Sequence, residues 1–76
     1  MLPVGENVRA LRDERNLSQG QLAEKIGVTR ATIATYESGN RLPSLFKLIR
    51  LSRALGVTTD YLLGVSKDKD AFLDVS

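Results

Sequence analysis

Apolar residues along this chain recur every three or four positions, and no segment alternates as a strand would. Val4, Val8 and Leu11 step by four and three among charged neighbours, which predicts a first helix over about 4–15. Leu17 follows as the chain turns. Leu22, Ala23 and Ile26 form the apolar stripe of a second helix. Ser18 marks its start: the hydroxyl can accept from the N–H of Gln21, while the Gln21 side chain reaches back to the N–H of Ser18. Gly27 marks its end, in the left-handed conformation that other residues resist, and Val28 anchors the turn in the core. Thr29 caps a third helix over about 30–38, closed by Gly39-Asn40. Arg41-Leu42-Pro43 reads as a loop. Ser44 caps a fourth helix, with Leu45, Leu48, Ile49, Leu51, Ser52 and Leu55 expected on or beside its inner face. Gly56 stops it, and Val57 folds back on its last turn. Thr58 caps a short fifth helix holding Tyr61, Leu62 and Leu63, which ends at Gly64. The expected fold class is all-α, with five short helices around one small core in residues 1–64 and a short tail at 65–76.

Residues 18–39 place two of these helices back to back. The first closes on Gly27, and only Val28 and Thr29 precede the next. So short a link does not suit antiparallel packing along full helix lengths. It suits a helix-turn-helix, whose second helix is presented outward at a size and shape that enter a DNA major groove. At 100° per residue, Ile33 and Tyr36 point together into the core. Opposite them lie Ala31, Ala34, Thr35 and Ser38, with Arg30 at the edge. This face is small and carries no acidic residue, whereas an ordinary solvated face would show long Lys and Glu side chains. Arg30 sits in the first turn, where it can bond bidentately to guanine O6 and N7. Ala31 and Ala34 can contact thymine methyls, and Thr35 can donate or accept.

Composition narrows the function classes. One domain is expected from 76 residues, with a small core. The chain has no cysteine and no histidine, which removes the usual nucleophile, general base and metal ligands. It also holds no phosphate-binding glycine loop and no carboxylate cluster with metal spacing, so no enzyme, metal or cofactor is expected. The longest apolar runs are only a few residues, and a cytoplasmic protein with no membrane span is expected. Net charge is +2. The tail, with Lys67 and Lys69 against Asp68, Asp70 and Asp74, carries −1, so residues 1–64 carry +3. A mildly basic body fits a nucleic-acid binder, though many soluble domains share that balance.

At this point the chain resembles the lambda-repressor/Cro-like (Xre-type) helix-turn-helix domain. The resemblance rests on Leu17-Ser-Gln-Gly-Gln-Leu-Ala-Glu-Lys-Ile-Gly-Val-Thr-Arg-Ala-Thr-Ile-Ala-Thr-Tyr-Glu-Ser-Gly39. It continues through Pro43-Ser44-Leu45, Leu48, Leu51 and Ala54-Leu55-Gly56-Val57 to Asp60-Tyr61-Leu62-Leu63. It covers residues 4–64 and keeps the family's spacing throughout. It implies a five-helix domain that binds double-stranded DNA, commonly as a dimer. Gln19 matches a position that contacts phosphate and sometimes an outer base. Arg30, Ala31 and Thr35 match the base-reading positions, and Ala34 lies beside them. Ser18, Thr32, Ser38, Asn40 and Arg41 match or adjoin positions that meet the phosphate backbone. The N–H groups opening the second helix would add a positive helix end aimed at a phosphate. Arg12 and Glu37 match an ion pair that ties the first helix to the end of the third, with little net stability if exposed. Read separately, Arg12 is a free phosphate contact and Glu37 an exposed end residue.

Two positions depart from the family pattern. Gly20 stands where a helix-favouring residue, often acidic, is usual; it weakens the helix by about 0.5–1 kcal/mol relative to Ala but removes bulk and charge near DNA. Phe46 stands where a polar residue is usual and points away from the core. It is either scattered surface or a dimer contact. The tail lies outside the resemblance. Its Phe72, Leu73 and Val75 either fray or pack on a partner subunit or on the fifth helix. The leading expectation is a sequence-specific regulator, acting as a repressor, which binds a two-fold-symmetric operator as a homodimer. The alternative is a protein-interaction module, such as the antitoxin of a toxin–antitoxin pair, with Phe46 and the tail meeting a protein partner.

Overall fold

The computed structural model describes residues 3–69, and within them five α-helices form. They are α1 Val4–Glu14, α2 Gln19–Ile26, α3 Arg30–Ser38, α4 Leu45–Leu55 and α5 Thr59–Leu63. Caps set most of these bounds. Ser18, Thr29, Ser44 and Thr58 each accept a hydrogen bond from the N–H three residues on, satisfying a donor that the first turn cannot. At Ser18 the box is reciprocal: Gln21 N–H donates to Oγ at 3.0 Å, and Ser18 N–H donates to Gln21 Oε1 at 2.8 Å. α2 and α4 end alike. Gly27 and Gly56 take φ of 74° and 71°, and the following Val28 and Val57 donate N–H to the carbonyls of Ala23 and Ser52 at 3.0 Å. α1 ends differently, with Asn16 at φ 55° and no glycine.

One core draws on all five helices. Val4, Val8, Leu11, Leu22, Ile26, Ile33, Leu51, Leu55 and Leu62 are essentially sealed from solvent. α3 packs on α1 and α2; α4 rests on α1, α2 and α5. The inner face of α4 is Leu48, Leu51, Ser52 and Leu55, with Ile49 half-buried. Leu45, expected on or beside that face, is instead 68% exposed. It is the first residue of α4, one turn before Leu48, where the buried face begins.

Two contacts fix α1 against the rest. Asn7 Nδ2 donates to the carbonyls of Tyr61 and Leu62 at 3.2 and 3.1 Å, closing the free end of α5 from 54 residues away. Gly5 lies directly against the last turn of α3. A Cβ there would meet the carbonyl oxygens of Tyr36 and Glu37, within 2.8 Å of the second.

After α5 the chain returns. Thr58 N–H donates to the carbonyl of Lys69 at 2.9 Å, Lys69 Nζ reaches Glu14 at 3.2 Å, and the same ammonium stands 5.7 Å from the centre of the Tyr61 ring. Residues 65–69 therefore lie against α5 and the end of α1. Phe72, Leu73 and Val75 fall outside the described residues.

Candidate nucleic-acid interface

The fold buries one side of α3 and presents the other. Ile33 and Tyr36 are buried, while Arg30, Ala31, Ala34 and Ser38 are exposed and Thr35 is half-exposed. Nothing in the packing restrains Arg30, and its guanidinium makes no hydrogen bond with another described residue. It borders an open cleft of about 480 Å³ that Arg12, Ser18, Gln19 and Gly20 also line. α2 therefore opens beside the start of α3. At that opening Gln21 and Leu22 find acceptors in Ser18, which leaves the N–H groups of Gln19 and Gly20 for an outside acceptor. Gly20 is open to space, its nearest neighbour being Ser18 Oγ at 3.8 Å from a built Cβ.

The hydroxyls of α3 are not equally available. Thr35 Oγ1 donates to the carbonyl of Ala31 at 2.8 Å. Its proton is committed, so it offers a base edge only lone pairs and a methyl group, which suits an amino group of adenine or cytosine. Ser38 Oγ donates to the carbonyl of Thr35 at 2.9 Å and accepts from Asn40 N–H at 3.4 Å. A phosphate only accepts, so contact through Ser38 requires breaking that bond. The Thr32 and Thr29 hydroxyls bond each other at 2.9 Å. The side chains of Asn40 and Arg41, exposed just beyond α3, carry donors with no such commitment.

Behind this face lies a charged cluster. Arg12 Nε donates to Glu37 Oε2 at 2.7 Å, and Arg12 Nη2 to Glu37 Oε1 at 3.1 Å, in a bidentate fork. Gln19 Nε2 donates to the same Oε1 at 3.1 Å. Arg12 also donates to the carbonyl of Leu17 at 2.8 Å and lies 3.3 Å from Asp13. Only 12% of the Arg12 side chain and 7% of the Glu37 side chain remain exposed. The pair is thus formed and shielded, so the exposure that would have made it weak does not apply, and Arg12 is not a free side chain nor Glu37 an exposed one. Burial alone would push the Glu37 carboxyl up. Hydrogen bonds from Arg12 and Gln19, with the charges of Arg12 and Arg9, outweigh it and hold the carboxyl below its ordinary value. The hydrogen bond to Glu37 raises the Arg12 guanidinium in turn, so both partners stay charged. One carboxylate therefore joins α1, the first residue of α2 and the end of α3.

Three features escaped sequence reasoning. The tie from Gln19 to Glu37 spans 18 residues and has no periodic signature. Gly5 had a signal, since a glycine inside a helical pattern often marks close backbone approach. Leu42 and Leu45, at 59% and 68% exposure, join Phe46 at 75% in an apolar stretch where the sequence singled out Phe46 alone.

A family model described as helix-turn-helix matches residues 8–62. The chain is 40% identical over 65 residues to YobD, an uncharacterized transcriptional regulator of the helix-turn-helix type from Bacillus subtilis (strain 168). That match covers 86% of this chain and 58% of YobD. It is 38% identical over 63 residues to the immunity repressor protein of Bacillus phage phi105, covering 83% of this chain and 44% of the repressor. The chain thus spans about half the length of these relatives. Its fold is similar to that of the P22 c2 repressor crystallised with a synthetic operator, with a TM-score of 0.81 and 32% identity over 87% of this chain and 100% of that one. No helix among the described residues is long and apolar enough to cross a membrane. With the buried and outward faces of α3, the capped turn that carries it and these likenesses together, the chain belongs to the lambda-repressor/Cro-like (Xre-type) helix-turn-helix family.

Proposed function

We propose that this chain is a sequence-specific DNA-binding transcriptional regulator of the cytoplasm, which represses by occupying its operator. The observation that carries the reading is the outward face of α3. It is small, lacks carboxylates and has one uncommitted arginine at its leading end. α3 enters the major groove. Arg30 reads guanine, Ala31 and Ala34 lie against thymine methyls, and Thr35 accepts from an amino group. Gln19, the N–H groups at the start of α2, Asn40 and Arg41 hold the phosphates, with Ser18, Thr32 and Ser38 beside them. The P22 c2 repressor, bound to operator DNA, supports the same use of the same fold.

Selection of bound duplexes from random DNA tests this directly. Enrichment of one motif is expected. Arg30→Ala should then weaken binding to that motif by about 1–3 kcal/mol and relax the preference at one base pair. Unchanged affinity and selectivity in the variant would remove Arg30 from the reading set.

The apolar stretch of Leu42, Leu45 and Phe46 supports a homodimer. It adjoins the loop that leaves α3, so pairing there would set two recognition helices side by side, about 34 Å apart on one face of a two-fold-symmetric operator. Phe46→Lys is expected to shift sedimentation toward the monomer and to abolish cooperative filling of paired half-sites, while single half-site affinity is kept. A variant that stays dimeric takes the stretch out of the subunit seam and leaves it as scattered surface or as the seat of a different protein partner, the use an antitoxin would make of it.

A further inference from the structure

The face just described does not use all the positive charge beside it. A second cleft, of about 300 Å³, lies between α1, the start of α2 and the latter half of α3. Arg9, Arg12, Gln19, Ala34, Glu37 and Ser38 line it. It shares Arg12 and Gln19 with the cleft at Arg30, and Ala34 and Ser38 belong to the outward face of α3. The cleft therefore opens on the same side as the base-reading residues, at their flank. Of its three charges, two cancel: Arg12 and Glu37 are locked together at 2.7 Å. Arg9 is left over. It is exposed, and its guanidinium forms no hydrogen bond or ion pair with another described residue. It stands close enough to Glu37 for its charge to help hold that carboxyl ionised. Ala34 adds no bulk to the wall. Gln19 Nε2 gives one hydrogen to Glu37 and keeps a second.

We propose that this α1–α3 cleft receives a backbone phosphate of the DNA, held by the Arg9 guanidinium with the second amide hydrogen of Gln19. The inference rests on the DNA-binding reading above and extends the footprint onto α1. It also separates the two arginines of that helix. Arg12 is structural, since its fork is filled by Glu37, while Arg9 has its whole donor set available to a phosphodiester. A solvated arginine on an exposed helix face would have no such directed consequence.

Binding of the full chain to its selected duplex and to an unrelated duplex, measured across a salt series, tests the assignment. Arg9→Gln is expected to weaken both duplexes equally, by roughly 3- to 10-fold near 0.1 M salt, and to reduce the slope of log K against log salt by about 1. Preference between the duplexes should not change, and Arg9→Lys should restore the slope. The thermal midpoint of Arg9→Gln should stay close to the wild type, because the side chain bonds nothing in the fold and its charge is the smallest of the influences that keep Glu37 ionised. An unchanged slope overturns the proposal, and so does a change in base preference at constant slope. A wild type that binds no duplex overturns the DNA reading itself, and the Arg9 assignment with it.

Discussion

Replacing Glu37 with alanine is expected to lower the thermal midpoint by roughly 10–20 °C. The carboxylate accepts two hydrogen bonds from Arg12 and one from Gln19, with both charged side chains nearly sealed from solvent. Removing it leaves a shielded guanidinium without its counter-charge. Breaking a buried pair costs about 3–5 kcal/mol in general. Here Arg12 keeps Leu17 and Asp13 as partners and a little solvent, so about 2–3 kcal/mol is the better figure. A domain of this size has roughly 5–10 kcal/mol in total, and each kcal/mol moves the midpoint by about 4–8 °C. The effect has a pH signature. The Glu37 carboxyl lies below its ordinary value in the fold, so the unfolded chain takes up the proton first as pH falls. The stabilisation is complete above the unfolded carboxyl's range and fades as pH falls through the folded value. Melting curves of wild type and Glu37→Ala should therefore converge in acid. A gap that stayed constant from neutral pH to pH 3 would contradict the role given to the charge. Pairing Arg12→Met with Glu37→Leu should recover much of the stability, since an apolar pair of similar size needs no desolvation. It should not recover full DNA affinity, because Gln19 loses the group that aims it.

Gly5→Ala is expected to damage both the fold and the DNA-binding face. Elsewhere in an exposed helix the same change stabilises, by reducing the freedom of the unfolded chain. At Gly5 the new Cβ would overlap the carbonyl oxygens of Tyr36 and Glu37. Those atoms are backbone and have no rotamer to escape into. α1 or α3 must move, at about 1–3 kcal/mol for overpacking of this kind. Because α3 is the element pushed, DNA affinity should fall further than stability accounts for, and the loss should persist well below the melting range. Gly20→Ala is the internal control. Its Cβ finds only Ser18 Oγ at 3.8 Å, so α2 should gain about 0.5–1 kcal/mol. Equal melting temperatures for the two variants would refute the contact at Gly5.

Much of this architecture is legible in the sequence because it is local. Ser18, Thr29, Ser44 and Thr58 announce helix starts within four residues, and Gly27 and Gly56 announce ends. The orientation of α3 follows from the spacing of Ile33 and Tyr36 alone. What is not legible depends on how far each helix extends over its neighbours. The spacing of Leu45 is correct for the inner face, yet the core stops a turn short of it. Burial of Arg12 and Glu37, the aiming of Gln19 and the capping of α5 by Asn7 all join residues distant in the chain. The end of α1 at Asn16 hides for another reason, since asparagine tolerates the left-handed conformation without announcing it as glycine does.

The division of α3 into a fastened side and an idle side bears on how such a protein diversifies. Ala31 and Ala34 have side chains that bond nothing in the fold, and Arg30 is equally unencumbered. On the proposed reading, exchanging them would change which sequence is read without disturbing Ile33, Tyr36 or Glu37, which keep the helix in place. Mutational drift at the first three positions is thus nearly free of folding consequences. If those positions read bases as proposed, a lineage carrying this domain could move among operators by one or two substitutions at a time with its core untouched.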